Sequence, residues 1–171
     1  MKNRKLLNAL GTMEQLDEST RDRLLRQGRL YGHYAEEMQQ VHIDNARALE
    51  KLISHYGWPG ISKVGLEGCR LAWLVAQHAN CTPDLQRGFA QLLEQTVQDG
   101  DAPSRQLAYL SDRIRFNEGR LQRYGLILDW NEAGELGCEV EDPASLKERK
   151  SPPLLCVETL AAENFLGFSR R

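Results

Sequence analysis

The chain has 171 residues, enough for one domain with a sizeable core. A formal charge of −2, with 41% apolar and 27% charged residues, is ordinary for a globular protein and excludes a general electrostatic pull toward nucleic acid or anionic membranes. No apolar stretch reaches membrane-spanning length, and Gly11 ends the short series Leu6, Leu7, Leu10 before it resembles a secretory segment.

Cys69, Cys81, Cys138 and Cys156 are far apart and form no C-x-x-C pair, which argues against a zinc ribbon or a thioredoxin-type redox site. Free thiols in a reducing cytoplasm are the expectation.

Taken in chain order, the apolar periodicity predicts helices almost throughout. Thr12 and Gln15 have capping-box spacing, so a helix is expected to start there and turn Leu16, Leu24 and Leu25 inward. The basic residues nearby (Arg21, Arg23, Arg26, Arg29) are interrupted by Asp17, Glu18 and Asp22, which reads as a solvated face. Tyr34, Met38, Val41, Asn45, Leu49, Leu52 and Tyr56 then recur at three- and four-residue steps. Gly57 should stop that helix, and Pro59 keeps Trp58 out of helical geometry.

Leu66, Cys69, Trp73 and Ala76 mark the face of a helix over 65–79. Thr82-Pro83 opens another, with Leu85, Phe89, Leu92, Leu93 and Val97 inward and Gly100 at its end. Pro103-Ser104 opens one more, with Leu107, Leu110 and Ile114 inward and a stop near Asn117 or Gly119. The pattern then changes: 124–141 reads as a small β-hairpin around 131–135, and 154–168 as a last helix beyond Ser151-Pro152-Pro153. The fold class expected is mostly α: a single bundle-like domain over 1–171, with a helical core at 12–119 and a hairpin toward the C-terminal third.

Histidine is the natural place to look for proton chemistry at neutral pH. Of His33, His42, His55 and His78, only His33 has a helical metal spacing, with Glu37, and there is no H-E-x-x-H or paired E-x-x-H. No metal and no other cofactor is therefore expected. His78 ends an apolar helix, where it either caps the last carbonyls or serves as a general acid or base oriented by a carboxylate such as Asp112. Arg113 has the planar fork that clamps carboxylate or phosphate, although a salt bridge accounts for it equally well. Alternation places Gln122 and Tyr124 on one face. Trp58 is either a pocket wall or a lid over the core. There is no G-x-S-x-G elbow, Walker loop or dinucleotide fingerprint.

One ordered set of motifs spans about residues 40–150. It comprises Gly57-Trp58-Pro59, Val64-Gly65, Ala72-Trp73-Leu74 with Gln77-His78, Leu107-Ala108-Tyr109-Leu110 with Asp112-Arg113, and Gly119, Gln122, Tyr124, Gly125. The set resembles an uncharacterised bacterial family, one of the domains of unknown function. The resemblance implies that Gln77-His78, Asp112-Arg113 and Gln122 with Tyr124 share a site, and it supplies no activity. The chain departs from the family pattern at Leu126-Ile127, where T-Q is usual, and at Arg149-Lys150-Ser151-Pro152, where a paired arginine precedes V-G-L.

Two functions follow from these residues. The first is an enzyme acting on a small polar metabolite or modified peptide by acid–base chemistry. In it His78 and Asp112 are catalytic, and Gln77, Arg113, Gln122, Tyr124 and Trp58 hold the substrate in a polar cleft. The second is a non-enzymatic binding or interaction protein, an accessory subunit or immunity-type partner, in which the same groups form a structural network. A protein partner or homodimer fits the second; neither calls for nucleic acid or a membrane.

Overall fold

The computed structural model describes residues 2–30, 34–130 and 134–150. Its first helix, α1 (Arg4–Arg26), starts eight residues before the expected capping box. Asn3 is the N-cap, and its side chain accepts from the Leu6 amide at 3.0 Å. Thr12 lies inside the helix and donates to the Asn8 carbonyl. A glycine inside a helix costs about 1 kcal/mol, which the packing of Leu6, Leu10 and Met13 outweighs, so Gly11 does not end it. The buried stripe runs Leu6, Leu10, Met13, Asp17, Thr20, Leu24. Leu16 and Leu25, expected inside, are 46% and 45% exposed.

The second helix, α2 (Glu36–Tyr56), buries Met38, His42, Asn45, Ala46 and Leu49 and ends at Gly57, as the periodicity requires. The turn that follows is tied down by Lys63, whose Nζ donates to the carbonyls of Tyr56 and Trp58 at 2.7 and 3.0 Å. Asp101 accepts from the Ser62 amide and hydroxyl, both at 2.7 Å, and so fixes the start of α3 (Ile61–His78).

Helix α3 breaks at Gly65, whose φ of 79° is left-handed, and then resumes. Just beyond, Gly68 lets α1 approach closely: a Cβ there would meet Val64 at 2.4 Å and Leu7 Cδ1 at 3.0 Å. The rest of α3 is nearly all buried and is packed by α1, α2, α4 and α5. Leu10, Leu49, Cys69, Ala72, Leu93 and Leu110 lie at the centre of the core they share.

After a 3₁₀ turn at Ala79–Cys81 come α4 (Pro83–Gln98) and α5 (Ser104–Asn117), packed on one another. The expected hairpin shrinks to β1 (Asp129–Trp130) and β2 (Leu136–Gly137), paired antiparallel with Trp130 opposite Leu136. Residues 123–127 cannot extend the ladder, because side chains from elsewhere occupy several of their backbone groups. A one-turn helix, α6 (Leu146–Arg149), closes the described residues, and the helix expected at 154–168 lies outside them. Among the described residues no helix is long and apolar enough to cross a membrane.

Candidate functional site

The inward stripe of α1 is apolar except at Asp17 and Thr20. The stripe of α2 carries His42, and α3 ends on His78. Packing three helices together brings these side chains to one point below the surface, where Asp17, His42 and His78 are 5%, 2% and 5% exposed. One carboxylate oxygen, Asp17 Oδ2, accepts from His42 Nε2 and from His78 Nδ1, each at 2.8 Å. The other oxygen, Oδ1, takes the Arg21 guanidinium at 2.6 Å, one helical turn along α1. The two imidazole rings stand 4.7 Å apart between centroids, tilted by 33°.

The hydrogen-bond pattern assigns the protons. His42 donates from Nε2, so its Nδ1 is the acceptor, and the Tyr34 hydroxyl donates to it. The half-buried Cys81 thiol in turn contacts that hydroxyl. His78 donates from Nδ1, so its Nε2 carries a lone pair. That nitrogen is buried and has no hydrogen-bond partner among the described residues.

Burial alone would raise the Asp17 carboxyl, but the hydrogen bonds from His42 and His78 outweigh it and hold the group well below the usual carboxylate range. Burial likewise pushes the His78 imidazole down to about 4 against the attraction of Asp17, so it is neutral at pH 7. The Tyr34 phenol is raised by burial and by the adjacent Cys81. The centre thus holds an ionised carboxylate between the His42 ring and the neutral His78 imidazole, with its cation, Arg21, on the side nearer solvent.

The end of α3 is held by amides. Gln86 Nε2 donates to the carbonyls of Ala76 and Gln77 at 3.0 and 3.2 Å, and to Asn80 Oδ1 at 3.2 Å. Asn117 Nδ2 bridges Asn80 and Gln86 from α5. These bonds satisfy carbonyls at the helix terminus that would otherwise fall to His78, which leaves the imidazole for Asp17.

The carboxylate on His78 is therefore Asp17, and Asp112 is engaged elsewhere. Asp112 is fully buried, and its two oxygens accept from the amides of Arg123, Tyr124 and Leu126 at 2.8–3.2 Å. Gln122 closes a two-way pair with Ile127, donating to its carbonyl at 2.7 Å and accepting from its amide at 2.9 Å. Asp112 and Gln122 thus converge on one loop, 122–127, and hold four of its amides and one of its carbonyls. Arg113 lies over the Phe116 ring at 5.9 Å, and Arg123 over Tyr124 at 6.0 Å. Trp58 is buried against Phe89, and among the described residues its indole nitrogen lacks a partner, as does Gln77 Nε2. Of the residues singled out from the sequence, His78 belongs to the Asp17–His42 centre, while Asp112 and Gln122 form a second network.

Asp17, His42, Tyr34 and Arg21 were not singled out from the sequence. The available signal was register: Asp17 continues Leu10 and Met13 at helical spacing, and His42 lies between Met38 and Leu49. No curated protein and no solved structure matches the chain. A family model matches residues 5–160, nearly the whole length, and the chain belongs to that family, the family of unknown function DUF6624.

Proposed function

We propose that this protein is an enzyme that transfers protons at His78, with Asp17 orienting the imidazole. One observation carries the reading: His78 Nδ1 is committed to an ionised carboxylate while Nε2 is buried and, among the described residues, unpartnered. A carboxylate on one ring nitrogen fixes the tautomer and stabilises the imidazolium that forms when the other accepts a proton. An unpaired buried acceptor costs about 1–3 kcal/mol, and a purely structural histidine would gain by pairing it. Arg21, on the more exposed side of Asp17, suits an anionic or strongly polar substrate group. Nε2 is covered, so neighbouring side chains must part before a small polar metabolite or modified peptide reaches it.

The test is a turnover screen of the full chain against small phosphate esters, carboxylic esters, amides and peptides, run beside His78→Gln. Turnover lost in His78→Gln, with the unfolding midpoint kept, supports the reading. Turnover untouched by the substitution removes His78 from the chemistry.

A second reading, an interaction module, has its own support. Trp130 and Leu136 face one another across the short hairpin and are 58% and 50% exposed. Exposed apolar pairs of this kind mark contact surfaces. Concentration-dependent self-association that Trp130→Ser abolishes would favour it.

A further inference from the structure

We propose that Asp17, His42 and His78 form a binding site for one first-row divalent transition-metal ion of the zinc type. The acid–base reading uses the same residues, but metal binding does not depend on it.

One ligand atom from each of the three residues lies within 4.8 Å of the others. His42 Nε2 and His78 Nδ1 both point at the same Asp17 oxygen, at 2.8 Å. Ligands bound to zinc at about 2.0–2.1 Å in a tetrahedron stand roughly 3.3 Å apart, so seating an ion requires each imidazole to move outward by about half an ångström. The protons now on His42 Nε2 and His78 Nδ1 pass to the other nitrogen of each ring as the ion enters, so that both ligand nitrogens are free to coordinate.

The donor set selects the ion. Two imidazoles and one carboxylate suit zinc, iron, cobalt or nickel, whereas magnesium and calcium take oxygen shells. Three protein ligands also leave a fourth position open for water, the arrangement of catalytic rather than structural zinc.

The surroundings accommodate the charge. Arg21 sits on Oδ1 and leaves Oδ2 to the ion, and its side chain is 27% exposed, so its repulsion is partly screened. A metal-bound histidine usually donates its second N–H to a partner. Here the Tyr34 oxygen can accept from His42 Nδ1, and the Tyr34 hydroxyl proton can turn to the Cys81 thiol it already contacts. On His78 the proton displaced from Nδ1 sits on Nε2, which becomes a donor beside the ion.

The full chain, stripped with chelator and desalted, is titrated with zinc against a competing indicator, and with cobalt followed by its visible absorption. The expected result is one ion per chain, held at about micromolar affinity or tighter. His42→Ala and His78→Ala should each weaken it by roughly 100-fold or more. His55→Ala and Cys138→Ser should leave it unchanged. No binding, or equal binding in both histidine variants, overturns the proposal. If either variant fails to fold, X-ray absorption of the zinc-loaded parent decides: two imidazoles with oxygen support the site, and sulfur in the shell overturns it. Because binding is read without turnover, its failure leaves the acid–base reading standing, and failure of the turnover screen leaves the metal site standing.

Discussion

Asp17 and His78 lie 61 residues apart in the chain, yet they share a 2.8 Å hydrogen bond, and the same carboxylate oxygen takes a second one from His42. A buried carboxylate is tolerated only with partners that replace its hydration. Asp17 has three: two imidazole N–H groups and the Arg21 guanidinium. Its place in the stripe of α1 makes it a core residue as well as a charged one.

Asp17→Asn should therefore be costly for its size. The shape is kept, but the anion that anchors both imidazoles and Arg21 is lost, and an amide has only one acceptor oxygen. A loss of about 3–5 kcal/mol is expected, the scale of breaking a buried pair from one side. Urea unfolding followed by circular dichroism measures it. A loss below roughly 1 kcal/mol would show that the three partners find water instead.

Asp112 supports a different structure, and its removal should separate the two networks. Asp112→Ala leaves the amides of Arg123, Tyr124 and Leu126 without their acceptor. At about 1–3 kcal/mol for each buried unsatisfied group, partly relieved by water, the expected loss is about 3–5 kcal/mol. Zinc affinity and any turnover, measured on the fraction that stays folded, should not change. A selective loss of turnover with stability intact would place Asp112 in the chemistry after all.

The helices were legible in the sequence because their inward positions repeat with helical period, as Met38, Asn45 and Leu49 do in α2. The centre was only partly legible. His78 stood out as a polar residue at the end of an apolar helix. Asp17 was hidden among Glu18, Arg21 and Asp22, a mixed run that reads as solvated, and only its register with Leu10, Met13 and Leu24 marks it as inward. His42 adjoins Val41, which the same periodicity favoured, and one residue turns a helix by about 100°. Metal spacings are recognisable within a single helix, whereas these three side chains come from three helices, and only packing brings them together. The Asp112 loop was illegible for a related reason: backbone amides leave no trace in side-chain patterns.

Gln86 tests how the end of α3 is positioned. It is buried, and its amide nitrogen serves the carbonyls of Ala76 and Gln77 while its oxygen accepts from Asn117. Gln86→Leu fills nearly the same volume but removes these three bonds and a fourth, to Asn80 Oδ1. A loss of about 2–3 kcal/mol is expected, from carbonyls left buried without donors. Zinc affinity should fall with it, because the last turn of α3 carries His78. Stability lost without any change in affinity would mean that Asp17 alone holds the imidazole in place.

Tyr34→Phe probes the outer side of the centre with the smallest change available. The ring and its packing stay, and only the hydroxyl that donates to His42 Nδ1 goes. In the metal-free chain this costs about 1 kcal/mol, one hydrogen bond to a buried acceptor. In the zinc-loaded chain the His42 Nδ1–H would lose its acceptor, and affinity should drop by about 10-fold, the lower end for an outer partner of a ligating histidine. Cys81→Ser, which replaces a weak acceptor with a stronger one next to Tyr34, should hold or raise affinity. A hydroxyl that serves only the fold would lower the unfolding midpoint of Tyr34→Phe and leave its zinc titration superimposable on the parent. That result would remove Tyr34 from the centre while leaving the three ligands in place.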